Sequence, residues 1–341
     1  MMKKMLSLLV CALFCLSGCA GKNGPAPASS QPDAGSENPS SEAGQSAEAQ
    51  EDGLLHVGII QLTDHPSLNT IREAFVAEIT ALMGSQVAIE SDDAQNDMSN
   101  INSICQKYIG DQKDLIVAIA TPTAQAAAAA TSEIPVVYSA VSDPAAAKLT
   151  GLPNVTGTSD AIPVESIFQL AAGLTPEAKT FGLIYNTSEV NSVSVIEGAK
   201  SYMQQNGLSF VEATITNSSE LQQSASSLVG KVDAIFTPID NTVATAMPVL
   251  AGVANMNKIP VYVGADSMVA DGGLATVGID YSLLGTRTAQ MAADILGGKR
   301  PSEIPYEILS DYSTILNPKT AKELELEIPE EILEAAVQVG G

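Results

Sequence analysis

The chain has 341 residues, with 39 Asp and Glu against 16 Lys and Arg, a formal net charge of −23. That balance excludes nucleic acid and other polyanions as partners, because phosphate binding needs clustered cations. A hydrophobic share of 45% excludes a wholly disordered chain. Aromatics at 4% with no Trp count against a sugar-stacking cleft, and two His and four Cys leave little for a metal cluster, so neither metal nor cofactor is expected. The length suits about two domains.

At the N-terminus, Lys3 and Lys4 precede a mostly apolar run from Leu6 to Leu16 that closes on Leu16-Ser17-Gly18-Cys19. Residues 1–18 read as an export signal whose apolar core is too short for a stable span. The closing tetrapeptide resembles the bacterial lipobox, which implies that Cys19 is lipidated and becomes the mature N-terminus; an ordinary signal peptide with an incidental cysteine is the alternative. More than one acyl chain on a residue anchors a protein firmly, so the expected location is the extracytoplasmic face of the cell membrane, held by lipid. Residues 19–53 carry only Ala among apolar side chains beyond that cysteine and cannot fold. They read as a disordered tether with a reach of about 30 Å. Cys105 shares helical spacing with Ile101, Ile104 and Tyr108 and is expected to be a small buried hydrophobe.

From Leu54 onward short β-rich runs alternate with helical stretches. Predicted strands are His56–Gln61, Gln86–Glu90, Leu115–Ala120, Val136–Val141, Phe181–Tyr185, Ser209–Ile215, Ala234–Pro238 and Val261–Ala265. Pro66 opens a helix whose apolar positions Leu68, Ile71, Phe75, Ile79 and Leu82 follow the 3.6-residue period. Tyr281–Leu296 is a further predicted helix. Continuous apolar strands joined by crossover helices point to parallel sheets covered on both faces. An internal echo suggests two of them: AIATP at Ala118–Pro122 returns as AIFTP at Ala234–Pro238, and IPVV at Ile134–Val137 returns as IPVY at Ile259–Tyr262. Each TP is expected to enter an Ala-rich helix. Open parallel sheets bind ligands beyond their strand C-termini, so a crevice between two such lobes is the expected site.

The polar residues that follow the predicted strands are the candidate ligand contacts. They are His65, Ser67, Thr121, Thr123, Ser142 and Asp143 in the first half, and Asn186, Glu189, Asn191, Ser192, Asp240, Asn241 and Asp266 in the second. The same residue types are the preferred helix N-caps, and the sequence leaves both roles open. Helix N-termini at Thr121 and at Thr237 suit a carboxylate, whereas Asp143, Glu189, Asp240 and Asp266 suit an ammonium group. Arginine is scarce, so no guanidinium clamp is evident, and a lining with one kind of partner for each charge fits a zwitterion. Tyr138 and Tyr185 lie beside these segments and face either a ligand ring or the sheet cores.

The segments DHPSLN (Asp64–Asn69), ATPTAQ (Ala120–Gln125), PVVYSAVSDP (Pro135–Pro144), NVTGTSD (Asn154–Asp160), YNTSEVNS (Tyr185–Ser192), DN (Asp240–Asn241), GAD (Gly264–Asp266) and GIDYSLLG (Gly278–Gly285) resemble the ABC-transporter substrate-binding lipoproteins of the family that includes the tryptophan-binding protein of Gram-positive bacteria. The resemblance implies an α/β fold of two Rossmann-like lobes with parallel sheets joined by a three-strand hinge, the type I periplasmic-binding-protein fold. It implies crossings near Thr158, Gly278 and Leu309, giving lobe one as 54–158 plus 279–308 and lobe two as 159–278 plus 309–341. The function implied is capture of a small zwitterionic solute, an aromatic amino acid above all, for delivery to an ABC permease in the membrane. Two other classes stay open on the residues alone: a hydrolase using the same cleft, with His65 as base, and a surface adhesin or sensor subunit. Against the first, no G-x-S-x-G, P-loop, G-x-G-x-x-G, H-E-x-x-H or C-x-x-C is present.

Overall fold

The computed structural model describes residues 53–340. The export signal, Cys19 and all but the last residue of the polar segment 19–53 lie outside the described residues. The first half of the fold runs β1 (Leu55–Gln61), α1 (Pro66–Met83), β2 (Val87–Asp93), α2 (Met98–Gly110), β3 (Leu115–Ile119), α3 (Thr121–Ala130), β4 (Val136–Ser139) and β5 (Val155–Ser159). There follow α4 (Val164–Leu174), β6 (Thr180–Leu183), α5 (Val190–Gln205), β7 (Ser209–Glu212), α6 (Leu221–Leu228), β8 (Ala234–Thr237), α7 (Asn241–Thr245), α8 (Met247–Met256), β9 (Val261–Val263), α9 (Asp266–Ala270) and β10 (Ala275–Gly278). The chain closes with α10 (Tyr281–Leu296), β11 (Glu307–Ile308), β12 (Ser313–Leu316), α11 (Pro318–Glu323), α12 (Glu330–Ala335) and β13 (Val337–Gln338).

Two sheets form, one per lobe. The first has the order β11-β5-β4-β3-β1-β2 and every neighbouring pair in it is parallel. The second has the order β13-β12-β10-β9-β8-β6-β7. Its strands β6 to β10 repeat the 2-1-3-4-5 order of β1 to β5 in the first sheet, and the sequence echo falls on equivalent elements: AIATP on β3 and AIFTP on β8, IPVV on β4 and IPVY on β9. The expectation of wholly parallel sheets is corrected at one place, because β12 pairs antiparallel with β10. It reaches that edge straight from the other lobe, without a crossover helix to turn it round.

The chain passes from the first sheet to the second between Ser159 and Thr180, returns between Gly278 and Glu307, and crosses again between Ile308 and Ser313. On the middle passage α10 leaves the second lobe and packs on α1 and β4 of the first. The contact is close because position 285 is glycine: a Cβ there would stand 2.3 Å from the Ile71 carbonyl oxygen.

Parallel strands in such a sheet are covered on both faces, and β3, β4 and β5 are buried at every residue. In α1 the residues Leu68, Ile71, Phe75 and Ile79 face the core, but Leu82 in the last turn is 52% exposed, past the edge of the sheet. Cys105 is fully buried, and burial pushes its thiol up to about 11. Several predicted strands overrun the observed ends. Ala120 and Ala140, read as strand or strand continuation, take positive φ values of 87° and 58° and turn the chain out of β3 and β4.

Candidate functional site

The C-terminal ends of both sheets face one cleft. From the first lobe His65 and Ser67 follow β1, Ala120 follows β3, Ala140 and Ser142 follow β4, and Asp160 follows β5. From the second, Asn191 follows β6, Ile239, Asp240 and Asn241 follow β8, Ala265 and Met268 follow β9, and Tyr281 follows β10. The gaps among them, open solvent included, come to about 390 Å³. Apolar and polar walls are separate in kind: Leu68, Ala120, Ala140, Ile239, Ala244, Ala265 and Met268 supply carbon, and the remainder supply hydrogen-bonding groups. The two alanines with positive φ both line this space, and non-glycine residues held there store strain of about 1–3 kcal/mol each, a cost that concentrates at functional sites.

Two polar atoms in the wall, His65 Nε2 and Asn191 Oδ1, are buried without a hydrogen-bond partner among the described residues. Burial lowers the His65 pKa against the opposing pull of Asp271 and Asp64, so the ring is neutral. Asp160 is 1% exposed, and burial pushes its carboxyl up to about 6. Its one bond from another residue is donated by Ser142 Oγ at 2.9 Å. No Lys or Arg lines the cleft among the described residues.

The other carboxylates are already occupied. Asp240 N-caps α7, accepting from Val243 N at 2.9 Å and from Asn186 N at 2.6 Å. Burial and then the neighbouring Glu189 charge raise its pKa. Glu189 accepts from Asn241 N and Nδ2, from Thr242 N and Oγ1 and from Asn191 Nδ2, all within 3.2 Å. It seals the start of α7. Asp266 accepts from Ser67 Oγ and Ser267 N, and burial raises its pKa. Asp143 accepts from Ala145 N, Ala146 N and Ser194 Oγ; burial alone would raise its pKa, but those donors outweigh it and lower it.

Three hydrogen bonds join the lobes directly. Ser67 Oγ donates to Ser267 Oγ at 2.7 Å and also to Asp266 Oδ1 at 3.2 Å, linking α1 to α9. Ser194 Oγ on α5 donates to Asp143 Oδ2 at 2.5 Å. The lobes are therefore held together at two points on the rim.

Of the residues singled out in the sequence, His65, Ser67, Ser142, Asn191, Asp240 and Asn241 line the cleft. Asp143 and Asp266 make the rim bonds. Asn186 and Glu189 border a separate groove between the lobes, opposite Pro122 and Gln125. Thr123 turns its hydroxyl back to the carbonyls of Ile119 and Ala120, both at 2.7 Å, and Thr121 and Ser192 are buried without lining the cleft. The expectation at Thr237 is corrected: it ends β8, fully buried, and the next helix starts only at Asn241, because Asp240 rather than Thr237 supplies the cap. Tyr138 and Tyr185 lie in the two cores, the first against Gly157 and the second 6.0 Å beneath Lys200 Nζ. Asp160, Tyr281, Ala140 and Met268 went unassigned in the sequence. Asp160 and Tyr281 stand inside the NVTGTSD and GIDYSLLG segments, so a signal was present.

Residues 56–340 match the family model for ABC transporter substrate binding proteins. The chain belongs to this family. It is 38% identical over 336 residues to the tyrosine-binding protein of Clostridioides difficile (strain R20291), across 95% of this chain and 93% of that one. Among solved structures it is similar to the ABC domain in complex with L-Trp from Streptococcus pneumonia, with TM-score 0.81 and 35% identity over 84% of this chain and 99% of that one. It is also similar to the ligand-free, open structure of a substrate-binding protein with adhesive properties from Clostridium difficile, with TM-score 0.66 and 42% identity over 84% and 99% of the two chains. Of these two, the less similar sequence superposes better.

As a substrate-binding protein of an ABC transporter, the chain has the family and fold of small-solute binders rather than of enzymes. Substrate-binding proteins of this kind act outside the cytoplasm. Among the described residues no helix is long and apolar enough to cross a membrane.

Proposed function

We propose that this protein captures an aromatic amino acid between its lobes, is held at the extracytoplasmic face of the membrane through a lipid on Cys19, and hands its cargo to an ABC permease. The observation that carries the reading is a cleft lining that combines carbon from four alanines, Leu68, Ile239 and Met268 with the unpartnered His65 Nε2 and Asn191 Oδ1. The tyrosine-binding name of one relative and the bound L-Trp of another agree with it. His65, Ser142, Asn191, Asp240 and Asn241 are the contacts supported among those expected from the sequence; Ser67, Asp143 and Asp266 act by holding the rim, and Asn186 and Glu189 by fixing α7. Ligand touching both lobes favours the closed state by population shift. The sheet assignments support lobe one as 54–158 plus 279–308 and lobe two as 159–278 plus 309–341.

A thermal-shift screen against the twenty amino acids and common nucleosides tests the solute class, because a saturating ligand stabilises the native state. Stabilisation by Tyr, Trp or Phe above the rest is expected; a response confined to nucleosides would refute the reading. For the anchor, Cys19→Ala should move the protein from the detergent phase to the aqueous phase in a partition assay, and continued membrane retention would refute the lipid.

A further inference from the structure

Asp160 occupies a singular position among the acidic groups around the cleft. It is the first residue beyond β5, on the first connection between the lobes, and its side chain is buried in the floor of the solute space. Asp143, Glu189, Asp240 and Asp266 each take two or more hydrogen bonds from backbone amides and side chains, whereas Asp160 takes one from another residue, the Ser142 hydroxyl. A carboxylate out of water with one neutral donor and no cation is expensive unless something else neutralises it. No Lys or Arg among the lining residues does so. His65 Nε2 and Asn191 Oδ1, each on a side chain more than nine-tenths buried, line the same space and lack partners. An ammonium group brings three N–H donors and a full positive charge, the complement of a carboxylate, of the Asn191 amide oxygen and, in the tautomer that leaves Nε2 bare, of the neutral His65 ring.

We propose that Asp160 is the anchor for the ammonium group of the cargo, so that it restricts the solutes to those carrying a protonated amine. The assignment rests on the reading of this cleft as the solute site. It also places the ligand charge on a segment that joins the lobes, where binding is felt by the hinge itself.

Calorimetric titration of the protein and of Asp160→Asn with L-tyrosine, L-tryptophan and their des-amino analogues, 3-(4-hydroxyphenyl)propionate and 3-(indol-3-yl)propionate, tests the anchor. The wild-type protein should prefer each amino acid to its des-amino analogue by about 30-fold or more, the ratio that loss of one partner of a buried charge pair produces. A ratio near one overturns the proposal whether or not the variant folds. In Asp160→Asn the preference should collapse, with amino-acid affinity falling and des-amino affinity unchanged or higher; retention of the wild-type preference, or an equal loss for both ligand kinds, overturns it. Should the wild type bind neither amino acid, the aromatic reading falls alone. The anchor is then judged by the same variant on whichever other amino acid or simple primary amine binds, and a protein that answers only to amine-free solutes overturns it.

Discussion

The hydroxyl of Ser67, in the first turn of α1, donates to the hydroxyl of Ser267 in the first turn of α9, 2.7 Å away across the mouth of the cleft. The bond exists only while the lobes are shut, so it belongs to the closed state and not to the fold of either lobe. Ser67→Ala should leave the melting temperature of the ligand-free protein nearly unchanged and weaken solute affinity by about 2- to 12-fold, the worth of one ordinary hydrogen bond. Stopped-flow fluorescence should place the change in the dissociation rate, and small-angle scattering at sub-saturating ligand should show a larger mean radius for the variant. A variant with wild-type affinity and radius would remove the rim bond from the closing mechanism.

Affinity should depend on pH through Asp160. Burial sets its carboxyl at about 6 in the unliganded fold, against an ordinary value of 3.8. Between those values the fold retains a proton that the unfolded chain has released, so this group's contribution to stability falls as pH rises through the window and is level above it. A ligand ammonium favours the ionised form, so binding below about pH 6 must expel the proton, and affinity should drop by up to about tenfold per pH unit there. Tyr281 on α10, Tyr312 before β12, and Asp266 on α9 are the titratable groups facing this region, and His65 and Asp240 share the cleft. Calorimetry in buffers of different ionisation heat should register proton release near pH 5.5 (about half a unit below the carboxyl's value) in the wild type and its loss in Asp160→Asn.

Glu189 is expected to be structural despite its place beside the cleft. Its two oxygens receive five donors at the start of α7, a helix of five residues that has little stability of its own. Glu189→Gln replaces one acceptor by an amide that faces donors, which should cost about 1–3 kcal/mol. Urea unfolding measures this, and the loss in solute affinity should follow from mispositioned Asn241 rather than from lost charge. If Glu189→Gln were as stable as wild type and lost only affinity, Glu189 would instead be a ligand contact.

Gly285 lets α10 lie against α1. Its missing Cβ would stand 2.3 Å from the Ile71 carbonyl oxygen and 2.9 Å from Ala74 Cβ, and backbone cannot swing aside as a side-chain tip can. Gly285→Ala should therefore destabilise by about 1–3 kcal/mol in spite of alanine's better helix propensity. A lower melting temperature checks it; an unchanged or higher one would mean that the two helices separate freely.

Much of the architecture was legible because the parallel strands are continuous apolar runs and the turns after them are marked by Pro, Asp and Asn. The helix at Tyr281–Leu296 and the echo of β3 in β8 could be read directly. What escaped, besides the two-residue strands β11 and β13, were β5, β10 and β12, written VTGTS, ATVG and STIL. Their Thr, Ser and Gly residues break the apolar run, and burial in a two-faced sheet leaves no alternation to replace it. Missing β5 hid Asp160, since a residue earns notice at a strand end only once the strand is seen. The roles of Glu189 and Asp240 were undecidable from sequence for another reason: a helix cap and a ligand contact require the same short polar side chain at the same place, and only the direction of the hydrogen bonds tells them apart.

The chain passes three times between the lobes, and the middle passage leaves β10 at Gly278 and enters α10 at Tyr281 with two residues between. So short a strap leaves little slack for the halves to slide past each other and favours a hinge-like swing about the connections. Shutting should then double as a size gauge: cargo too bulky for the cleft would keep Ser67 and Ser194 from their opposite numbers and leave the closed state without its rim bonds.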